Sequence, residues 1–426
     1  MKQQKRVGWV KLDNASKLFP AVRSNRDTKV FRLHCELTEP VEPLVLQQAL
    51  NKAIEGFPLF RSVLRRGVFW YYLEYSDIQP VVEMENNPVC APIYFGDRRN
   101  LLFRVFYYHD RINLEVFHAL ADGSGAISFM EVLVYEYLVR KHSGEGLSAT
   151  PLFRPKAAVS KKMDNSFDKH FAGGKVLKRR QRRQEAQRFG KAHRLKGTPL
   201  PENRTRLIEG SASVREVLDL AHEYKTTMTI FLASLWMCSI NKEMTDRMRK
   251  FPVVLSVPVD LRNFFESVTA RNFFSTMNVG YQFKEQNPQL QDVIDELTVA
   301  FRTNLNEEWI KEQASLLLAL EQHPVLRLMP LPLKDLSLRI AARIADRSVT
   351  SAISNLGRIN MPEEFDPFIR QFGVSTGAKR PQLTICSFRD RLVISATSPY
   401  ADADMQRTFF QFLSERGVDV EIASNS

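Results

Sequence analysis

Residues 115–126 read EVFHALADGSGA. An alternating apolar run ends at His118, small residues follow, and Asp122, Gly123 and Gly125 lead into a new periodicity. Ile112, Leu114 and Val116 lie at two-residue spacing behind His118, so all four share one face of a strand. LLFRVFYY (101–108) and INLEVFH (112–118) read as a hairpin around His109, Asp110 and Arg111. After Gly125, Ile127, Met130, Val134 and Leu138 mark one face of a helix. The stretch is thus a strand, a small-residue loop and a helix, with one imidazole at the strand's end. Gly123 and Gly125 allow backbone conformations and close approaches that a side chain would resist. Asp122 can fix the loop through an ion pair or through backbone N–H groups. An imidazole held this way can act as a general base near neutral pH. Histidines also end strands without doing chemistry. The residues alone leave both readings open, and the second is the commoner.

Outward from this stretch, residues 30–37 alternate as a strand, and 42–58 carry Leu46, Leu50 and Ile54 at helical spacing. Residues 68–74 and 79–84 are further strand candidates. From 143 to 210 apolar periodicity fades, and residues 175–197 hold ten Lys or Arg against one Glu. This run reads as a solvated crossover; a nucleic-acid or membrane-surface patch is the alternative. Only Phe189 interleaves it with an aromatic ring, and no nucleic-acid module surrounds it, so nucleic acid is not the expected partner. The second half opens on two helical patterns split at Lys225–Thr227. A nearly continuous apolar strand follows at 251–262, which suits a buried position. Residues 288–345 read as mostly helical, broken by Pro324, Pro330 and Pro332. A strand at 348–359, a hairpin of QLTICSF with RLVISATS, and a last helix with Asp402 as N-cap and Gly417 past its end complete the chain. The pattern is α/β in the mixed, α+β sense, with largely antiparallel sheets and helices in both halves.

The chain has 426 residues, 44% hydrophobic and 25% charged, with 29 Phe and a net charge of +12. That is a globular composition with a substantial core and a preference for anionic partners. TIFLASLWMCSI (229–240) is too short to span a bilayer. The N-terminus lacks the apolar region of a secretory signal. Cys35, Cys90, Cys238 and Cys386 lie far apart without a CxxC, against a zinc site and a disulfide framework. A cytoplasmic protein is expected. No paired-His metal spacing, P-loop or dinucleotide fingerprint occurs, and Ser124 in DGSGA is not a nucleophile elbow.

HALADG matches the HxxxDG signature and resembles the chloramphenicol acetyltransferase-like acyltransferases. These include plant acyl-CoA acyltransferases, condensation domains of nonribosomal peptide synthetases, mycobacterial polyketide-associated acyltransferases and bacterial alcohol acetyltransferases. GFPLFRSVL, VPVDLRNFF with ARNFF, SNLGRI, and VISATSPYADADMQRTFFQFL extend the resemblance over nearly the whole chain. It is nearest to the alcohol acetyltransferase-like branch. Phe117 stands where condensation domains usually carry a second histidine, and the plant DFGWG motif is absent.

The resemblance implies two similar subdomains, 1–160 and 206–426, joined by a basic crossover at 161–205, with an active-site tunnel between them. It implies transfer of an acyl group from a thioester, acyl-CoA or a phosphopantetheine-borne acyl group on a carrier protein, to an alcohol or amine. His118 would be the general base of a direct transfer without acyl-enzyme. Asp122 would be structural and pair with Arg262; Gly123, Asn272, Ser354 and Asn355 are the candidates for meeting the oxyanion. No resident cofactor or metal is implied, and a monomer is expected. An acyl-carrier protein and a peripheral membrane contact are the further partners considered. The alternatives are a non-catalytic or carrier-protein-docking scaffold and an amide-forming condensation enzyme.

Overall fold

Runs rich in Val, Ile, Leu and Phe gather into three sheets in the computed structural model, which describes residues 8–13, 15–143, 166–171, 189–322, 327–377 and 379–425. In chain order the strands are β1 (Trp9–Lys11), β2 (Val30–Leu37), β3 (Ser62–Arg66), β4 (Tyr71–Tyr75), β5 (Val82–Met84), β6 (Phe103–Tyr108), β7 (Arg111–Phe117), β8 (Arg206–Ser213), β9 (Val253–Asp260), β10 (Phe274–Tyr281), β11 (Ser351–Arg358), β12 (Ile369–Thr376), β13 (Gln382–Phe388), β14 (Arg391–Ser398) and β15 (Glu421–Ser424). A five-stranded sheet has the order β12-β2-β7-β6-β5, and a seven-stranded sheet the order β10-β9-β11-β13-β14-β8-β15; β1, β4 and β3 form a small third sheet. Pairing is antiparallel except between β5 and β6, β9 and β11, and β11 and β13.

The hairpin forms as the alternation requires. Tyr108 pairs with Arg111, and His109 turns the chain at φ 48°. β7 lies between β2 and β6, with Ile112, Leu114 and Val116 fully buried. The Gly123–Lys141 helix buries Phe129, Met130, Leu133 and Val134 over this sheet, and Phe129 stacks on Phe60 at 4.3 Å between ring centres. His118 therefore leaves a strand and approaches a helix that are both anchored in one core.

β9 takes the buried position its sequence suggests, between β10 and β11. The Val214–Glu223 and Met228–Lys242 helices start where hydroxyls satisfy orphan N–H groups, Ser213 accepting from Glu216 and Thr227 from Ile230. Together with the Asp404–Glu415 helix they build the second core. The two cores are not consecutive along the chain. β12, late in the sequence, pairs with β2 of the early sheet, and Phe365, Phe372 and Val374 join the first core.

Several details differ from the sequence reading. The last helix starts at Asp404 with Ala403 as N-cap and no side-chain cap, so Asp402 does not cap it; Gly417, at φ +86°, does follow its end. The expected strand at 68–74 begins only at Tyr71, because the Gly67 N–H donates to the Trp70 carbonyl and closes a turn. Pro332 opens the Leu331–Ala345 helix rather than breaking one, since a first-turn N–H has no helical partner to lose. Pro324 and most of the basic crossover, including Arg179, Arg180, Arg182 and Arg183, lie outside the described residues. All four cysteines are unbridged. No helix among the described residues is long and apolar enough to cross a membrane.

Candidate active site

The loop after β7 meets the segment between β9 and β10, where the two cores touch. Gly125 is required here by contact: a Cβ on it would stand 2.1 Å from the Ala270 carbonyl oxygen. Asp122 caps the helix and accepts from the Gly125 N–H at 2.9 Å. Its other oxygen takes the Phe273 N–H at 2.8 Å, across the junction. Arg262 grips the same carboxylate with both terminal nitrogens, at 2.9 and 3.2 Å. The remaining guanidinium hydrogens go to Asp260 and to the Thr269 and Arg271 carbonyls. Ser124 donates to Asp260 at 2.5 Å. One buried carboxylate thus ties the histidine loop to the second half of the chain.

His118 is half-buried and held at both ends of its residue. Its N–H donates to the Lys29 carbonyl at 2.8 Å. Asn272 spends its two amide hydrogens on the His118 carbonyl and on Ser16 Oγ, both at 2.8 Å. Its Oδ1 must then face the ring, 3.1 Å from His118 Nδ1, and an acceptor there requires Nδ1 to carry the proton. Asp13, buried, takes the Ser16 N–H at 2.7 Å and bonds the Ser16 side chain, with the Arg271 guanidinium 3.6 Å away. A polar chain from Asp13 through Ser16 and Asn272 therefore sets the tautomer and leaves Nε2 with its lone pair. No residue among those described binds Nε2.

The ring is walled by aromatics. Phe19 stacks on it at 4.4 Å and 17°, and Phe31 and Phe274 lie 5.0 and 5.6 Å away. Burial pushes the His118 pKa below its ordinary 6.5, against the opposing pull of Asp122 and the Asn272 bond. Burial thus favours the neutral imidazole, the form a general base needs.

Of the residues singled out from sequence, His118, Asp122, Gly123, Arg262 and Asn272 come together here. Asn272 has no hydrogen left for an oxyanion; it positions the imidazole instead. Asn355 is turned away: its amide donates to Thr229 and its oxygen accepts the Gly357 N–H. Ser354 lies on the opposite face of β11, the face of Leu356, which packs at the Gly123 Cα. Its hydroxyl has no partner among the described residues. Asp13, Ser16, Phe19, Phe31, Asp260 and Phe274 complete the site and were not expected from sequence. The DNAS run holding Asp13 and Ser16 has the look of a side-chain-stabilised turn, the one local signal available. Among the described residues no cluster of three or more His, Cys, Asp or Glu could hold a metal.

By sequence the chain matches no family model and no curated protein. By structure it is similar to polyketide synthase associated protein 5 from Mycobacterium tuberculosis, at 13% identity and TM-score 0.62 over 95% of this chain and 97% of that one. It is similar to a variant of the starter condensation domain of rhizomide synthetase bound to C8-CoA, at 12% identity and TM-score 0.64 over 97% and 98%. It is also similar to the trichothecene 15-O-acetyltransferase TRI3 of Fusarium sporotrichioides, at 11% identity and TM-score 0.62 over 95% and 93%. The chain has the condensation-domain and acetyltransferase fold. That is the two-part mixed architecture implied by the HALADG resemblance. In this version of the fold the junction of the halves holds the histidine loop.

Proposed function

We propose that this chain is an acyltransferase that moves an acyl group from a thioester to an alcohol or amine, with His118 as general base. The observation that carries the reading is the imidazole whose Nδ1 is held by Asn272 Oδ1 while Nε2 is left open between Phe19, Phe31 and Phe274. Nε2 takes the acceptor's proton as its oxygen or nitrogen attacks the thioester carbonyl, and the imidazolium returns that proton to the departing thiolate. No acyl-enzyme is needed: among the described residues, Ser124 is committed to Asp260, and Ser16 is buried between Asp13 and Asn272 on the Nδ1 side of the ring. The Ser354 hydroxyl and the Gly123 N–H are the donors left to meet the oxyanion, a contribution on the order of 3 kcal/mol per donor.

The thioester donor is acyl-CoA or an acyl-carrier protein. The solved C8-CoA complex of a protein with this fold supports the first, and the similarity to a polyketide synthase associated protein supports the second. The absence of a second histidine at Phe117 favours transfer to an alcohol over peptide condensation. The test is thiol release from a panel of acyl-CoAs with mixed alcohols and amines. His118→Ala should remain folded and lose turnover by a factor on the order of 10² or more; near-wild-type turnover in the folded variant refutes the assignment.

A further inference from the structure

The Leu331–Ala345 helix buries two charged residues beside Leu331 while leaving a row of large apolar residues outside. Lys334 and Asp335 are only 8% and 5% exposed, whereas Leu333, Leu336, Ile340 and Ile344 are 49–61% exposed. The Lys334 ammonium sits 3.4 Å over the Trp70 ring and donates to the Phe69 carbonyl, and Asp335 accepts from the Tyr71 hydroxyl at 2.7 Å. The outward leucines and isoleucines follow each other by three or four residues, so they form one stripe along the helix. A surface helix ordinarily buries such a stripe.

The charge around the stripe identifies what covers it. Arg343 and Arg347 continue the same face, three residues after Ile340 and Ile344 respectively, and neither has an ion pair among the described residues. The acids of this stretch are withdrawn: Asp335 faces inward, and Asp346 is held by Lys379 and Arg380. Arg347 also lines a cavity of about 660 Å³ with Lys191, Arg194, Lys196 and Arg247, around a floor that includes Met248 and Phe251. An apolar stripe leading into a hollow lined by five cations matches an anionic interface with an apolar interior; Glu243, Asp402 and Asp404 line an adjoining hollow that shares Arg194 and Lys196 with it. A second copy of a chain with net charge +12 would bring cations against cations.

We propose that this face is an interfacial membrane-binding surface, the stripe entering the acyl boundary of an anionic phospholipid bilayer and the arginines meeting its headgroups. The helix lies one layer from the candidate site. Arg339 donates to the Ala21 carbonyl of the short Leu18–Val22 helix, whose Phe19 stacks on His118.

The full chain is tested by flotation with phosphatidylcholine vesicles, with and without phosphatidylglycerol. Binding should require phosphatidylglycerol and weaken as salt rises. Leu336→Glu with Ile340→Glu should lower it on the order of a hundredfold, with the melting temperature unchanged because both positions are half exposed; Leu336→Ser with Ile340→Ser serves as the milder pair should the glutamates disturb folding. Arg343→Ala with Arg347→Ala should weaken binding to the phosphatidylglycerol vesicles and make it less sensitive to salt. A wild-type protein that stays in solution with every vesicle, stripe variants that bind like wild type, or equal binding to phosphatidylcholine alone overturns the proposal. So does a dimer in sedimentation that the stripe variants dissolve while no vesicle is bound. Binding is read without turnover, so its failure is distinct from a failure of the acyl-transfer reading.

Discussion

Asp122→Asn separates the charge of the motif carboxylate from its shape. Asparagine is as good an N-cap as aspartate, so the cap to Gly125 survives the change. What is lost is an acceptor for Arg262 and Phe273 together. Asp122 receives four hydrogen bonds from three residues and is 4% exposed. Removing one partner of a buried pair costs about 3–5 kcal/mol. Arg262 keeps Asp260 at 2.9 Å and two carbonyls, so the loss falls at the lower end, ~3 kcal/mol. Arg262→Ala strands the Asp122 carboxylate with two backbone donors and should cost a similar amount. The pair then shares its energy, and a double-mutant cycle in guanidinium denaturation should show a coupling of ~2 kcal/mol. Turnover should fall in the same variants. Phe273 follows Asn272 directly, and an unheld Phe273 N–H lets the His118 partner drift. Additive stability losses in the cycle, or full turnover in Asp122→Asn, refute this account.

The pH dependence follows from burial of the imidazole. A His118 pKa depressed below 6.5 means that the basic, active form persists on cooling the pH through neutrality, and kcat/KM should be flat from pH 7 to 8 and fall only below about 6.5; an acid limb centred at or above 7 contradicts it. Asn272→Asp adds a negative charge beside Nδ1, favours the imidazolium and should move that limb to higher pH, a displacement that a merely structural residue would not produce. Gly125→Ala should destabilise by about 1–3 kcal/mol or more, because its methyl meets rigid backbone at Ala270, while Gly123→Ala should be milder, because its methyl, 2.5 Å from Leu356 Cδ2, meets the end of a movable side chain; thermal melts of the two variants compare them directly.

The strand, loop and helix around His118 were legible because each obeys a short period, and the hairpin needs only neighbours in sequence. The same holds for the helix pair split at Lys225–Thr227 and for β9, whose unbroken apolar run suits a strand covered on both sides. β12 was not legible. The sequence pattern assigns residues 369–376 to no element, and the pairing of β12 with β2 joins residues 34 and 373 across most of the chain. Nothing local encodes that choice; the packing of Phe372 and Val374 into the first core does. The last helix shows a smaller failure of the same sort: Asp402 has the right chemistry for a cap, but the cap position falls one residue further on, at Ala403. The candidate site divides likewise. His118 and Asp122 stand in a motif, and Arg262 was named from the resemblance. Asp13 and Ser16 carry no motif, and their part depends on Asn272 reaching them from a segment some 250 residues later.

That dependence changes what the motif aspartate does. Both Asp122 oxygens are filled by backbone N–H groups and by Arg262, so the carboxylate makes no hydrogen bond to the imidazole. The ring is oriented from the other side, by an uncharged amide whose own direction is fixed by Ser16 and the His118 carbonyl. A carboxylate in Asn272's place would hold Nδ1–H as well, but it would also stabilise the imidazolium and leave Ser16 and the carbonyl without donors. An amide orients the ring at less cost to its free base. Burial lowers the His118 pKa against the pull of the Asp122 charge, and the group that holds the ring, being uncharged, adds no second carboxylate to that pull.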